Sequence, residues 1–100
     1  MPTFTIIYTP GPNWIEDKPV WEQPLRPHGN YIKRLYDQQI ALMGGPFGDN
    51  SGGMTIIEVE SEADAQRIVD EDPAITEGIF EATLRPWFRV DWDGYQVGDK

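Results

Sequence analysis

The 100-residue sequence has no cysteine and one histidine. The first absence rules out disulfides, thiol nucleophiles and cysteine-ligated zinc. The second leaves no ordinary zinc site, because carboxylates would have to supply every other ligand. Positive charge is also scarce. Eight Lys and Arg face seventeen Asp and Glu, a formal net charge of -9, which repels nucleic acid phosphates and anionic membrane surfaces. No run approaches the roughly 20 apolar residues of a membrane-spanning helix. The opening MPTFTIIYTPG lacks the basic start and long apolar run of a secretory signal. The expectation is a cytoplasmic protein that uses no metal or organic cofactor, with no nucleic acid or membrane partner.

What is present suits a folded core. Hydrophobic residues make up 39% of the chain and aromatics 12%, enough to argue against global disorder. The length fits one domain over 1–100, with a body at about 3–90 and a polar C-terminal tail, DWDGYQVGDK, at 91–100. A chain of this size buries only about two-thirds of its unfolded surface, so burial against another subunit would help it.

Residues 3–9, TFTIIYT, alternate Phe4, Ile6 and Tyr8 and are read as a strand. A Pro-rich loop over 10–24 carries Trp14 and Trp21, and loops this long are usually functional or packed by their own side chains. A helix is predicted over 27–41, opening at Pro27, with His28, Ile32, Leu35 and Gln39 at helical spacing and Gly44 and Gly45 closing its exit. Residues 42–47 are a short extended piece, 48–53 a hairpin loop and 54–60 a second clear strand. Ser61 caps the next helix, whose buried stripe of Ala65, Ile68 and Val69 reaches Asp72 before Pro73 stops it. A final strand is read over 79–90, with Pro86 marking an edge or bulge.

This order, βαββαβ, predicts an α+β ferredoxin-like fold: a four-stranded antiparallel sheet with two helices on one face. Ile6-Ile7 and Ile56-Ile57 place apolar side chains on both sheet faces. The helices cover only one, so a face-to-face homodimer, a dimeric α+β barrel, is expected. A monomer with scattered surface isoleucines is the alternative.

His28 is the first candidate for chemistry. It lies in the first turn of its helix, on the face toward the sheet, where the positive end of the helix disfavours imidazolium. A neutral imidazole there can accept a proton. The alternative is a structural histidine bonded to nearby backbone. Asp72 is the second candidate. A carboxylate on an apolar stripe costs several kcal/mol unless paired, and a histidine ring would be a suitable partner and would fix its tautomer. The alternative is Asp72 capping the turn before Pro73. GGPFGDNSGG has no Gly-Lys-Ser/Thr element of a phosphate loop. Asp91, Asp93 and Gly94 lack the later ligands of a calcium loop.

Several of these features recur together. The first strand ends near Tyr8, and His28 opens a helix bearing Tyr31 and Leu35. ALMGGPFGD follows, then the Ser61-Glu62-Ala63 helix start, Asp72-Pro73, Gly78 and a last strand ending in Arg85-Pro86-Trp87. In that order they resemble the YCII-related proteins, small dimeric ferredoxin-like domains. The resemblance covers about residues 3–90 and implies a His28–Asp72 pair in a cleft, with Gly45 and Pro46 in the turn beside it. Through one branch of the family it also implies loss of chloride from chlorinated hydroxylated rings.

The leading expectation is therefore a cofactor-independent enzyme of lyase or isomerase type acting on a small, cyclic or aromatic substrate. His28 would be the base, Asp72 its orienting partner, and backbone amides near Gly45 a site for developing negative charge. Tyr8, Trp14 and Trp21 would line or cover the pocket. The main alternative is a module that binds a small metabolite without turning it over. A third is an interaction subunit in which the acidic surface is the functional feature.

Overall fold

The computed structural model describes residues 1–98; residues 99 and 100, the end of the expected tail, lie outside the described residues. Four strands, β1 (Thr3–Pro10), β2 (Ala41–Pro46), β3 (Gly53–Glu58) and β4 (Phe80–Trp87), form one antiparallel sheet in the order β2-β3-β1-β4. Helices α1 (Arg26–Asp37) and α2 (Glu62–Asp70) make the crossovers, and a short α3 (Pro73–Thr76) precedes β4. This is the expected ferredoxin-like arrangement.

Alternation along β1 sends Phe4, Ile6 and Tyr8 to the helix side, where they join Leu35, Ile57, Val69 and Phe80 in the core. Thr5, Ile7 and Thr9 face the other way, beside Ile56 and Met54 in register. Ser61 caps α2 as its sequence predicts, its hydroxyl accepting the Asp64 N–H at 3.1 Å.

Beyond shifts of one or two residues in β2 and β3, three boundaries differ from expectation. First, α1 stops at Asp37 rather than 41 because Gln39 turns left-handed, φ 64°. Its N–H bonds the Tyr36 carbonyl, and the Ile40 N–H bonds that of Leu35. This is a Schellman cap with glutamine in the place usually taken by glycine. Gly44 and Gly45, expected at the helix exit, lie in β2 instead. Second, Pro73 does not simply end α2. It sits in the first turn of α3, and Asp72 caps that turn by accepting the Ala74 N–H at 2.9 Å. Third, β4 ends at Trp87 because Trp87 pairs with Thr3, the first residue of β1, and among the described residues no partner strand lies beyond. β4 is an edge strand, which accommodates Pro86.

The 11–24 connection is held by its own side chains. Buried Gln23 accepts from the Ile15 N–H and donates to the carbonyls of Ile15 and Lys18, at 2.8–2.9 Å. Asn13 ties the segment to the Glu77 carbonyl at the end of α3, and Asn50 ties it to the β2–β3 hairpin. In that hairpin Gly52, at φ 140°, is required: a Cβ would stand 1.9 Å from the Tyr8 carbonyl oxygen.

Because Gln39 bears a side chain in the left-handed region, Gln39→Gly should raise unfolding free energy by about 1 kcal/mol. Urea denaturation of the two proteins measures this, and a destabilised glycine variant would contradict the cap assignment.

Candidate functional site

Three elements converge on one cleft. α1 brings His28 over the sheet, the turn before α3 brings Asp72 beside it, and β1 supplies Tyr8 from below. Both Asp72 oxygens approach His28 Nδ1, at 2.9 and 2.8 Å. Asp72 is 2% exposed and His28 side chain 16%. An ionised carboxylate only accepts, so Nδ1 carries the hydrogen and donates it. Nε2 then holds the ring's lone pair, and among the described residues no side chain or backbone group bonds it. Asp72 thus does both things weighed for it from sequence: it caps a helix and it pairs with His28.

Aromatic rings fix the imidazole laterally. It meets Tyr8 and Phe80 edge-on, with centroids 5.1 and 5.6 Å away. Tyr8 stacks on Phe80, and Phe80 on Trp14. Tyr8 donates its hydroxyl hydrogen to Thr55 Oγ1 at 3.0 Å. Burial, reinforced by the Asp72 charge, pushes the Tyr8 phenol above its ordinary range, and the Thr55 bond offsets only part of this. Tyr31, one turn after His28, donates to the Ile68 carbonyl at 2.7 Å and so joins α1 to α2. Burial first, then the charges of Asp72 and Glu71, push its phenol up to about 12.

In front of His28 lies a cavity of about 400 Å³, at the small end of ligand-binding pockets. Tyr8, Phe80, Leu25 and Ile32 give it an apolar wall, Thr55 a hydroxyl, and Gly44, Gly45 and Pro46 its β2 side. Trp21, 77% exposed, stands at its edge. Among the described residues no Lys, Arg, Asp or Glu lines it. Of the residues named from sequence, His28, Tyr8, Gly45 and Pro46 border the cavity, and Asp72 lies behind His28. Trp14 does not line it; it packs behind Phe80 and backs the wall. Thr55, Phe80 and Gly44 were not singled out. The alternation of β3 could have placed Thr55 on the inner face with Ile57. The Phe80 contact depends on α3, and Asp72-Pro73 reads in the sequence as a helix stop or a capped turn rather than as a further helix.

Similarity to known proteins follows the same lines. The YCII-related domain matches residues 4–87. The chain belongs to the YCII-related family. Among YCII-related relatives, the uncharacterized protein YjpA of Bacillus subtilis (strain 168) is 35% identical over 60 residues, which is 60% of this chain and 71% of YjpA. The fold also matches 5-chloro-2-hydroxyhydroquinone dehydrochlorinase (TftG) from Burkholderia phenoliruptrix AC1100, solved in complex with 2,5-dihydroxybenzoquinone. That match has a TM-score of 0.69 at 22% identity and covers 88% of this chain and 95% of the other. Among the described residues of this YCII-related chain no helix is long and apolar enough to cross a membrane.

Tyr31 gives the fold a pH dependence of known sign. Its neutral form is favoured in the folded state, so its contribution is complete below the ordinary value of 10.0 and is lost as pH rises toward about 12. The urea midpoint should fall across that window, and less steeply in Tyr31→Phe. Equal slopes in the two proteins would show that the buried phenol is not the cause.

Proposed function

We propose that this protein is a small cofactor-independent enzyme of lyase or isomerase type, with His28 as its base. The observation that carries the reading is the bidentate approach of Asp72 to Nδ1, which leaves Nε2 as the ring's only free acceptor beside an apolar cavity. Nε2 takes a proton from a small cyclic or aromatic substrate. Asp72 stays ionised, orients the ring and stabilises the imidazolium that forms. The electron pair left on the substrate then expels a leaving group, or is reprotonated at another atom by the same imidazolium. The dehydrochlorinase that shares the fold acts on a hydroxylated chlorinated ring, and a ring of that size fits a cavity of about 400 Å³. Tyr8, Gly45 and Pro46 contact the substrate, and Trp14 supports Phe80 from behind.

The first substrate to try is 5-chloro-2-hydroxyhydroquinone, followed by chloride release. Wild-type protein should release chloride, while His28→Gln should lose at least about 100-fold, the usual share of a general base. Asp72→Asn is the sharper variant. Its carbonyl can still accept from Ala74, so its amide faces Nδ1, which must then become the acceptor; the ring hydrogen moves to Nε2 and the base is blocked. Activity should fall with little loss of stability, and imidazole 15N shifts should report the exchanged tautomer. Undiminished turnover in folded His28→Gln would end this mechanism.

We further propose that the chain works as a homodimer joined through the helix-free sheet face, as one domain built on the 3–90 body. Ile7, Met54 and Ile56 lie there, with Met43 exposed beside Ile56. Ile7→Lys should convert a dimer to a monomer in light scattering at micromolar concentration. A wild-type mass of one chain would remove the dimer.

A further inference from the structure

Tyr8 and Thr55 are both 2% exposed, and both border the cavity. Their two hydroxyls carry two hydrogens and share one hydrogen bond. A phenol is a better donor and a poorer acceptor than an alkyl alcohol, because its lone pair is delocalised into the ring. The bond therefore runs from Tyr8 to Thr55, and the second hydrogen is that of Thr55. Among the described residues no group accepts it. A buried hydroxyl rarely leaves its donor unused, and the side it can turn to is the cavity.

The opposite strand keeps that side open. Gly44 pairs with Thr55 across β2 and β3, and a Cβ at 44 would lie 3.0 Å from Thr55 Oγ1. Glycine at this strand position leaves room above the hydroxyl. Among the described residues the cavity also has no Lys or Arg in its wall, and the chain carries a net charge of -9. Apart from the His28 imidazole, which must stay neutral to act as a base, no lining side chain there offsets a carboxylate or phosphate.

We propose that Thr55, polarised by Tyr8 behind it, donates a hydrogen bond to a ligand oxygen, and that the cavity selects an uncharged ring bearing a carbonyl or hydroxyl oxygen. This rests on the reading of the cavity as the substrate site and assigns the group that recognises the substrate. During proton removal by His28 the electron pair moves onto that oxygen, where Thr55 meets the developing negative charge without breaking a hydrogen bond within the protein. Donation from Tyr8 strengthens donation by Thr55, since linked hydrogen bonds polarise one another.

Acetophenone and ethylbenzene are suitable probes, because they share size and shape but only the first has an acceptor oxygen. Titrations followed by backbone 1H–15N spectra should show wild-type protein binding acetophenone about five- to tenfold more tightly, the ratio expected of one neutral hydrogen bond. Thr55→Val should bring the two affinities together, and Thr55→Ser should keep them apart. Folded Thr55→Val with the full preference would overturn the proposal. If that variant does not fold, Gly44→Ala takes its place: the added methyl crowds the hydroxyl, and an unchanged ratio would overturn the proposal equally. Equal binding of both probes by wild-type protein would overturn the donor and leave the cavity as a ring site. Failure of both probes to move the resonances of His28, Gly44 and Phe80 would overturn the cavity reading itself.

Discussion

The carboxylate of Asp72 accepts from two groups at once, the Ala74 backbone N–H and His28 Nδ1–H. At 2% exposure an unpaired charge would cost several kcal/mol. Asp72 is instead paired on both sides, and the pairing fixes two elements against each other. α3 begins where it does because its first free N–H has a partner. α1 lies where it does, at its first turn, because the imidazole must reach that same carboxylate. Removing the carboxylate would orphan a helix cap and a ring nitrogen together, and the lining of the cleft would lose its reference point.

The aromatic packing follows from that anchor. With Nδ1 tied to Asp72, the ring plane of His28 stands nearly perpendicular to Tyr8 and Phe80, an orientation favoured by the quadrupole of the aromatic rings. Phe80 in turn stacks on Trp14, whose loop is fastened by Gln23 and by Asn13. The wall of the cavity is therefore continuous with the 11–24 connection, although that connection has little regular structure.

The order of strands and helices in the sequence is enough to read a four-stranded antiparallel sheet with helices on one face, because Phe4, Ile6 and Tyr8 alternate and Ala65 and Val69 share a helical stripe. His28 and Asp72 were legible for different reasons: one is alone in its type, the other is a carboxylate where an apolar residue belongs. What escaped was set by tertiary pairing. The end of α1 depends on a left-handed glutamine, which propensity disfavours. The end of β4 depends on where β1 begins, 84 residues earlier in register. The role of Phe80 depends on a four-residue helix too short to show a period. Thr55 escaped because a threonine in a strand is the ordinary case, and only the contact with Tyr8 sets it apart.

The double duty of Asp72 bears on how such a chain drifts through evolution. A lineage that had lost its substrate would still be penalised for replacing Asp72 with any residue other than asparagine, because folding alone would suffer, and His28 would be kept as the group that satisfies it. The dyad can thus outlive the chemistry. Gly44 and the unpaired hydrogen of Thr55 have no comparable tie to helix capping, so relaxed selection would reach them sooner. Among relatives, those two positions are the better record of whether the cleft is still in use.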